Sequence, residues 1–145
     1  MARPDFRFAW PTRIRYSEVD GQKIVYNAHY LTFFDTAIIE YCEAIGFDYA
    51  AVTAASDYDF HTVRNLIDYH KPVELREFIE VCVRPARIGR TSLTFALEIH
   101  PEGDDDVRTS GEVVWVYTNQ VTHKSEPLPE DFLELVRSYE GSLPS

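Results

Sequence analysis

At 145 residues the chain is expected to form a single domain, residues 1–145, with one real core, and its 45% hydrophobic and 14% aromatic content excludes a disordered chain. A formal net charge of −10 argues against a nucleic-acid partner, which wants a basic face. No stretch approaches membrane-spanning length and MARPDFRFAW holds no apolar run fit for a signal peptide; with Cys42 and Cys82 lying in apolar stretches without CxxC spacing, the chain reads as cytoplasmic with buried thiols.

Residues 6–16, FRFAWPTRIRY, alternate apolar and basic side chains, which marks a half-buried strand, and Pro11 places it at an edge or a bulge. Residues 27–45 read as a helix that opens at Asn27 and stops at Gly46. Its apolar positions, from Tyr30 and Leu31 through Ile38 and Ile39 to Ala44 and Ile45, spread over most of the circumference, so the helix is expected to be buried on most sides. Residues 48–60 read as a short helical or irregular stretch. Four strands are predicted next, over 63–71, 77–87, 91–100 and 107–118, with PEGDDD as the hairpin before the last. LPEDFLELVRSYEG closes the chain as a second helix with a stripe of Phe132, Leu135, Val136 and Tyr139. The order is strand, apolar helix, four antiparallel strands, helix. An α+β fold, one curved antiparallel sheet of about five strands wrapped around the long helix, satisfies it.

The segment RYSEVDGQKIVYNAHYL, residues 15–31, joins the first strand to that helix and carries the chemistry-bearing residues. Asp20 stands about seven residues before the first helical turn. The first N–H groups of a helix lack partners and carry partial positive charge, so they can polarise a carbonyl. A carboxylate beside them can attack that carbonyl or deprotonate a water. Glu18 shares a face with Asp20 if the strand continues, and a solvated edge carboxylate is the equal alternative. His61, His70, His100 and His123 show no metal-ligand spacing, and no metal is expected. Arg84, Arg87 and Arg90 form the densest basic stretch.

With Tyr16, Glu18, Asp20, Ile24, Val25, Tyr26, Tyr30 and Leu31 in its places, the segment resembles the 4-hydroxybenzoyl-CoA thioesterase family of hot-dog acyl-CoA thioesterases. Two positions depart from the family pattern: Lys23 stands where a glycine is usual, and Asn27-Ala28-His29 reverses the usual His-Ala-Asn. The resemblance implies hydrolysis of an acyl- or aroyl-CoA thioester, or of an acyl-carrier-protein thioester, with no further cofactor. It assigns Asp20 as nucleophile or general base and the Asn27 backbone N–H as the carbonyl-polarising group. It places Tyr26, His29, Arg87, Arg90, Thr91 and Ser92 against the substrate, the arginines facing the phosphates of coenzyme A. A hot-dog dehydratase or hydratase, pairing His29 with a carboxylate, and a non-catalytic thioester-binding protein are the alternatives. A sheet with edges around so apolar a helix further implies a homodimer, or its doubling to a homotetramer.

Overall fold

The computed structural model describes residues 3–144. Its strands are β1 (Phe8–Arg13), β2 (Tyr58–Tyr69), β3 (Phe78–Ile88), β4 (Ser92–Pro101) and β5 (Thr109–Asn119), and its helices are α1 (His29–Ile45), α2 (Tyr49–Ala54) and α3 (Glu130–Glu140). All five strands join one antiparallel sheet in the spatial order β1-β3-β4-β5-β2, so the two strands nearest the N-terminus are its two edges. The hairpin predicted at PEGDDD joins β4 to β5.

The sheet curls around α1. Ile79, Val81 and Val83 of β3, Leu93, Phe95, Leu97 and Ile99 of β4, and Val113 and Trp115 of β5 belong to the buried core with the helix. Burial of each such side chain contributes about 1.5–3 kcal/mol. Gly111 lets the helix come so close: a Cβ there would meet the Leu66 carbonyl oxygen at 2.3 Å and Phe34 Cε2 at 2.7 Å.

Four expectations need correction. The helix is not buried on most sides: Tyr30, Phe33, Phe34, Ala37, Ile38, Tyr41, Cys42 and Ile45 make one stripe at three- and four-residue spacing, while Ile39 stays 40% exposed among Thr32, Asp35, Glu40 and Glu43. The helix starts at His29 after Ala28, and no side chain caps it, because Asn27 lies in the preceding turn. The first strand stops at Arg13, since residues 16–18 turn into a 3-10 helix, and this removes the strand face that Glu18 and Asp20 would share. β2 begins at Tyr58 rather than at residue 63; a bulge between Thr62 and Arg64 breaks the alternation that would have shown it.

The two edges differ. β1 carries Pro11, which has no N–H to offer a neighbouring chain. β2 runs for 12 residues without proline and holds Val63 at 59% and Leu66 at 39% exposure. A long edge of that kind is a template for pairing.

Candidate active site

The segment before α1 folds back on itself. Val19 bridges Val25, the Tyr26 N–H donates to the Glu18 carbonyl at 3.0 Å, and the Asp20 N–H donates to Ile24 O at 3.0 Å. A four-residue turn, Asp20 to Lys23, closes this small hairpin, with the Lys23 N–H on Asp20 O at 3.0 Å. Lys23 adopts φ 63°, the left-handed conformation that suits glycine and which the family pattern fills with one. The hairpin is tied to the body of the fold by Val25 N to Val73 O at 2.8 Å and Leu75 N to Lys23 O at 3.0 Å.

Asp20 is half-buried in that turn. Its Oδ1 accepts the Gln22 N–H at 2.8 Å, and its Oδ2 accepts no hydrogen bond among the described residues. Glu18 serves the hairpin instead. It is 8% exposed, and its two carboxylate oxygens accept from the Arg15 N–H at 2.7 Å and from Arg15 Nη2 at 3.0 Å.

At the helix start, His29 N donates to Tyr26 O at 2.9 Å and Tyr30 N to Asn27 O at 3.4 Å. The Asn27 amide makes no hydrogen bond among the described residues. Asn27 lines a cleft of about 260 Å³ with Ile24, Tyr30, Tyr69, His70 and Lys71. Tyr26 is exposed and meets the His29 ring edge to face at 6.1 Å, beside that entrance. An open amide at a helix N-terminus, in a cleft walled by aromatic rings, is a place for a polarised carbonyl oxygen.

The residues predicted from sequence fall into two groups. Tyr26, Asn27 and His29 stand at the start of α1, near where β2 ends and β3 begins, while Asp20 stands in the closing turn of the hairpin that leads into the helix and is not among the residues lining the cleft. Arg87, Arg90, Thr91 and Ser92 lie at the turn between β3 and β4, at the far end of the sheet. The length of β4, ten residues at ~3.3 Å each, separates the groups by roughly 30 Å. Arg87 Nη2 contacts Glu112 Oε1 at 3.3 Å, and the Arg90 carbonyl accepts the Leu128 N–H at 2.9 Å.

Sequence reasoning missed the far wall of the cleft. Tyr69 ends β2 and His70 and Lys71 follow it, and the hydrogen bond of Val25 to Val73 ties this segment to the hairpin before the helix. Lys71 is held at 2.5 Å by Asp106, whose carboxyl lies below the usual range because Lys71 and Arg108 donate to it. A second cavity of about 240 Å³ was also missed; Asp35, Ile39, Tyr49, Phe60, Thr62 and Trp115 line it. Burial raises the Asp35 carboxyl above its usual range. Cys42 and Cys82 are free and buried, and burial pushes both thiols up to about 12, which leaves neither as a nucleophile. Among the described residues no group of His, Cys, Asp and Glu is placed to hold a metal ion, and no helix is long and apolar enough to cross a membrane.

The thioesterase superfamily model matches residues 22–108, well over half of the chain. The chain belongs to the thioesterase superfamily. It is a thioester hydrolase by family, and its sheet wrapped around one long helix is the hot-dog fold. The acyl-CoA thioester hydrolase YbgC of Escherichia coli O157:H7 is 25% identical over 126 residues, which cover 87% of this chain and 92% of that protein. A 1,4-dihydroxy-2-naphthoyl-CoA thioesterase from Synechocystis superposes with a TM-score of 0.83 at 16% identity, covering 89% of this chain and 94% of the other. A Staphylococcus aureus protein solved in complex with CoA superposes with a TM-score of 0.84 at 19% identity, covering 95% and 86%.

Proposed function

We propose that the protein hydrolyses an acyl- or aroyl-CoA thioester to the free acid and CoA, with Asp20 as the nucleophile or as the base that activates a water. The observation that supports this reading is the hairpin of residues 18–26, which carries a carboxylate with one uncommitted oxygen in its turn and leads into a helix start whose Asn27 amide is unengaged among the described residues. Asn27 N–H donates to the thioester oxygen as negative charge grows there. Asp20 either deprotonates a water that attacks the carbonyl carbon, or attacks it directly to form an anhydride that a water then opens to the free acid; in both routes the C–S bond breaks and CoA leaves as the thiolate. Tyr26 and His29 flank the entrance for the pantetheine arm.

The arginines at the far end become part of the same site in a dimer. Antiparallel pairing of two β2 edges, about a two-fold axis normal to the sheet, turns the second copy end for end. The partner's turn 87–92 then lies at the end of the joint sheet that carries Asp20. Arg87 and Arg90 of that turn face the phosphates of coenzyme A, with Thr91 and Ser92 beside them. The same rotation brings the partner's aromatic cavity to that end, where it receives the acyl group. The homodimer is therefore the smallest active unit, and a homotetramer is two such units.

A panel of acyl-CoA and acyl-carrier-protein thioesters, read by free thiol release and product mass, tests the activity. Asp20→Asn should keep the fold, by circular dichroism, and lower turnover by roughly 100- to 10,000-fold, the worth of a positioned acid–base group. A folded variant that keeps more than about a tenth of wild-type turnover removes Asp20 from the chemistry. Products that show water added across a carbon–carbon double bond would make the protein a hydratase instead.

A further inference from the structure

Behind the hairpin that joins β4 to β5 lies a buried histidine that the hydrolytic reading does not use. His100 stands on β4 next to Ile99, which packs into the core, so His100 faces away from α1. It is 0% exposed. Its Nε2 lies 2.8 Å from Glu98 Oε1 on the same strand. An ionised carboxylate only accepts, which assigns the ring proton of a neutral His100 to Nε2. Nδ1 is then a bare acceptor, buried and without a hydrogen-bond partner among the described residues. It stands 3.8 Å from Asp105 Oδ1 in the hairpin.

The titratable groups around the ring come from several parts of the chain. β4 supplies Glu98. β3 supplies Glu80, which pairs with His100 in the register, and Cys82, whose thiol is kept neutral by burial. Burial opposes ionisation of Glu80, but the Gly103 N–H at 2.8 Å and Arg3 Nη2 at 3.0 Å donate to it and hold its carboxyl below the usual range. The hairpin supplies Asp105, which accepts the Arg3 N–H at 2.6 Å. Arg108, where β5 begins, turns its guanidinium to Asp106, Glu77 and the Pro72 carbonyl. His70 bonds Ser110 Oγ at 2.8 Å, and these two line an open cleft of about 480 Å³ with Glu98, through which water reaches the Glu98 side of the pair.

Three carboxylates and the Arg3 guanidinium therefore surround a ring that is short of one hydrogen bond. A proton on Nδ1 would turn the orphaned acceptor into a donor aimed at an acid. Closing 3.8 Å to hydrogen-bond length takes a movement of roughly 1 Å, and Asp105, its side chain 53% exposed on a hairpin, is free to make it. The same hairpin reaches the candidate active site. Asp106 holds Lys71 at 2.5 Å, and Arg108 Nη1 donates to the Pro72 carbonyl at 2.9 Å; Lys71 and Pro72 both line the cleft at Asn27.

We infer that the β4–β5 hairpin is a proton-operated clasp: uptake of a proton from solvent at His100 Nδ1 draws Asp105 inward and tightens the hairpin, and with it the Lys71–Pro72 wall of the cleft. The inference does not require the protein to be a thioesterase.

Nuclear magnetic resonance of the full chain, titrated from about pH 8 to about pH 5, the range in which imidazoles change charge, tests it. The His100 Nδ1 signal should move from the bare to the protonated position, and the amides of Gly103, Asp105, Asp106 and Lys71 should shift with the same midpoint. Asp105→Asn leaves an oxygen for the Arg3 N–H but removes the charge facing Nδ1, and should move that midpoint to lower pH. His100→Gln keeps a donor for Glu98 and cannot titrate, so the shared midpoint should vanish from the hairpin and from Lys71. A His100 that stays neutral throughout, or one that titrates while those amides stand still, would make the pair a fixed part of the fold and overturn the inference. A midpoint unchanged in Asp105→Asn, or persisting in His100→Gln, would equally overturn it. If His100→Gln does not fold, the wild-type and Asp105→Asn titrations decide by themselves. Loss of thiol release in Asp20→Asn, with the shared midpoint intact, separates the clasp from the hydrolytic reading.

Discussion

Lys23, one of the two departures from the family pattern, adopts a conformation that suits glycine. Its φ of 63° keeps the turn that a glycine makes without strain. A side chain in the left-handed region costs about 1–2 kcal/mol, against about 0.5–1 kcal/mol of extra chain entropy lost by glycine. Lys23→Gly should therefore raise the unfolding free energy by about 0.5–1 kcal/mol in urea melts, since nothing else of the turn changes. A loss of stability would show that the lysine side chain holds the turn by contacts of its own. Asp20 could be proposed from the sequence because a motif surrounds it. The part played by Glu18 was not, because its burial depends on Arg15 curling back to meet it. The unengaged Asn27 amide was legible only in position, since its freedom follows from where every neighbouring acceptor lies.

At the scale of elements, α1 and α3 show how side chains far apart in sequence decide a packing angle. The buried stripe of α1 includes Tyr41, which is fully buried and donates to Glu140 Oε2 on α3. A carboxylate at a helix C-terminus is unfavourable against the helix dipole. The phenol and Arg7, which meets the last turn at the Tyr139 carbonyl, make that end acceptable. Burial and the adjacent Glu140 charge push the Tyr41 hydroxyl well above the usual phenol range, so it stays a donor at any physiological pH. Tyr41→Phe should destabilise the fold by about 1–2 kcal/mol, a hydrogen bond to a charged group tempered by the access of Glu140 to water. Chemical denaturation measures it, and an unchanged midpoint would mean that Phe132 and Val136, the buried residues of α3, seat the helix without the tether. Both helices were visible in the sequence, α3 as a stripe and α1 as an apolar run between Asn27 and Gly46. Their mutual contact was not, because no local pattern encodes a bond spanning 99 residues.

For the whole molecule, the separation of Asp20 from the 87–92 turn by the length of the sheet is the decisive fact. In the proposed dimer joined through β2 each site would be made from two chains, and this has a consequence that no single-chain site shares. Asp20→Asn and the double substitution Arg87→Ala/Arg90→Ala should each be poorly active alone. Mixed in equal amounts and allowed to exchange subunits, they should recover about a quarter of wild-type activity, because half the dimers are then mixed and each has one intact site of two. Light scattering on the same samples should give twice the chain mass of 16.8 kDa, or four times it. No recovery on mixing, from chains shown to exchange, would place the arginines outside the site.

The sequence by itself determined the element order, the half-buried first strand and the acid before the helix. These are local matters: periods of two and of 3.6, turn residues, and a motif spanning fewer than twenty positions. It misjudged the helix, since counting apolar residues around a circumference does not say which of them a sheet will reach; Ile39 was left outside and Phe34 taken inside against Gly111. Pro11 marked β1 for an edge or a bulge, but nothing marked β2 as the opposite edge, because strand order depends on which long-range pairings close the core best. That order alone decides that the hairpin holding Asp20 sits at one end and the arginine turn at the other. Tertiary structure also decided that His100 Nδ1 goes without a hydrogen bond, for whether a polar atom finds a partner depends on the distances between groups that the chain brings together only when it folds.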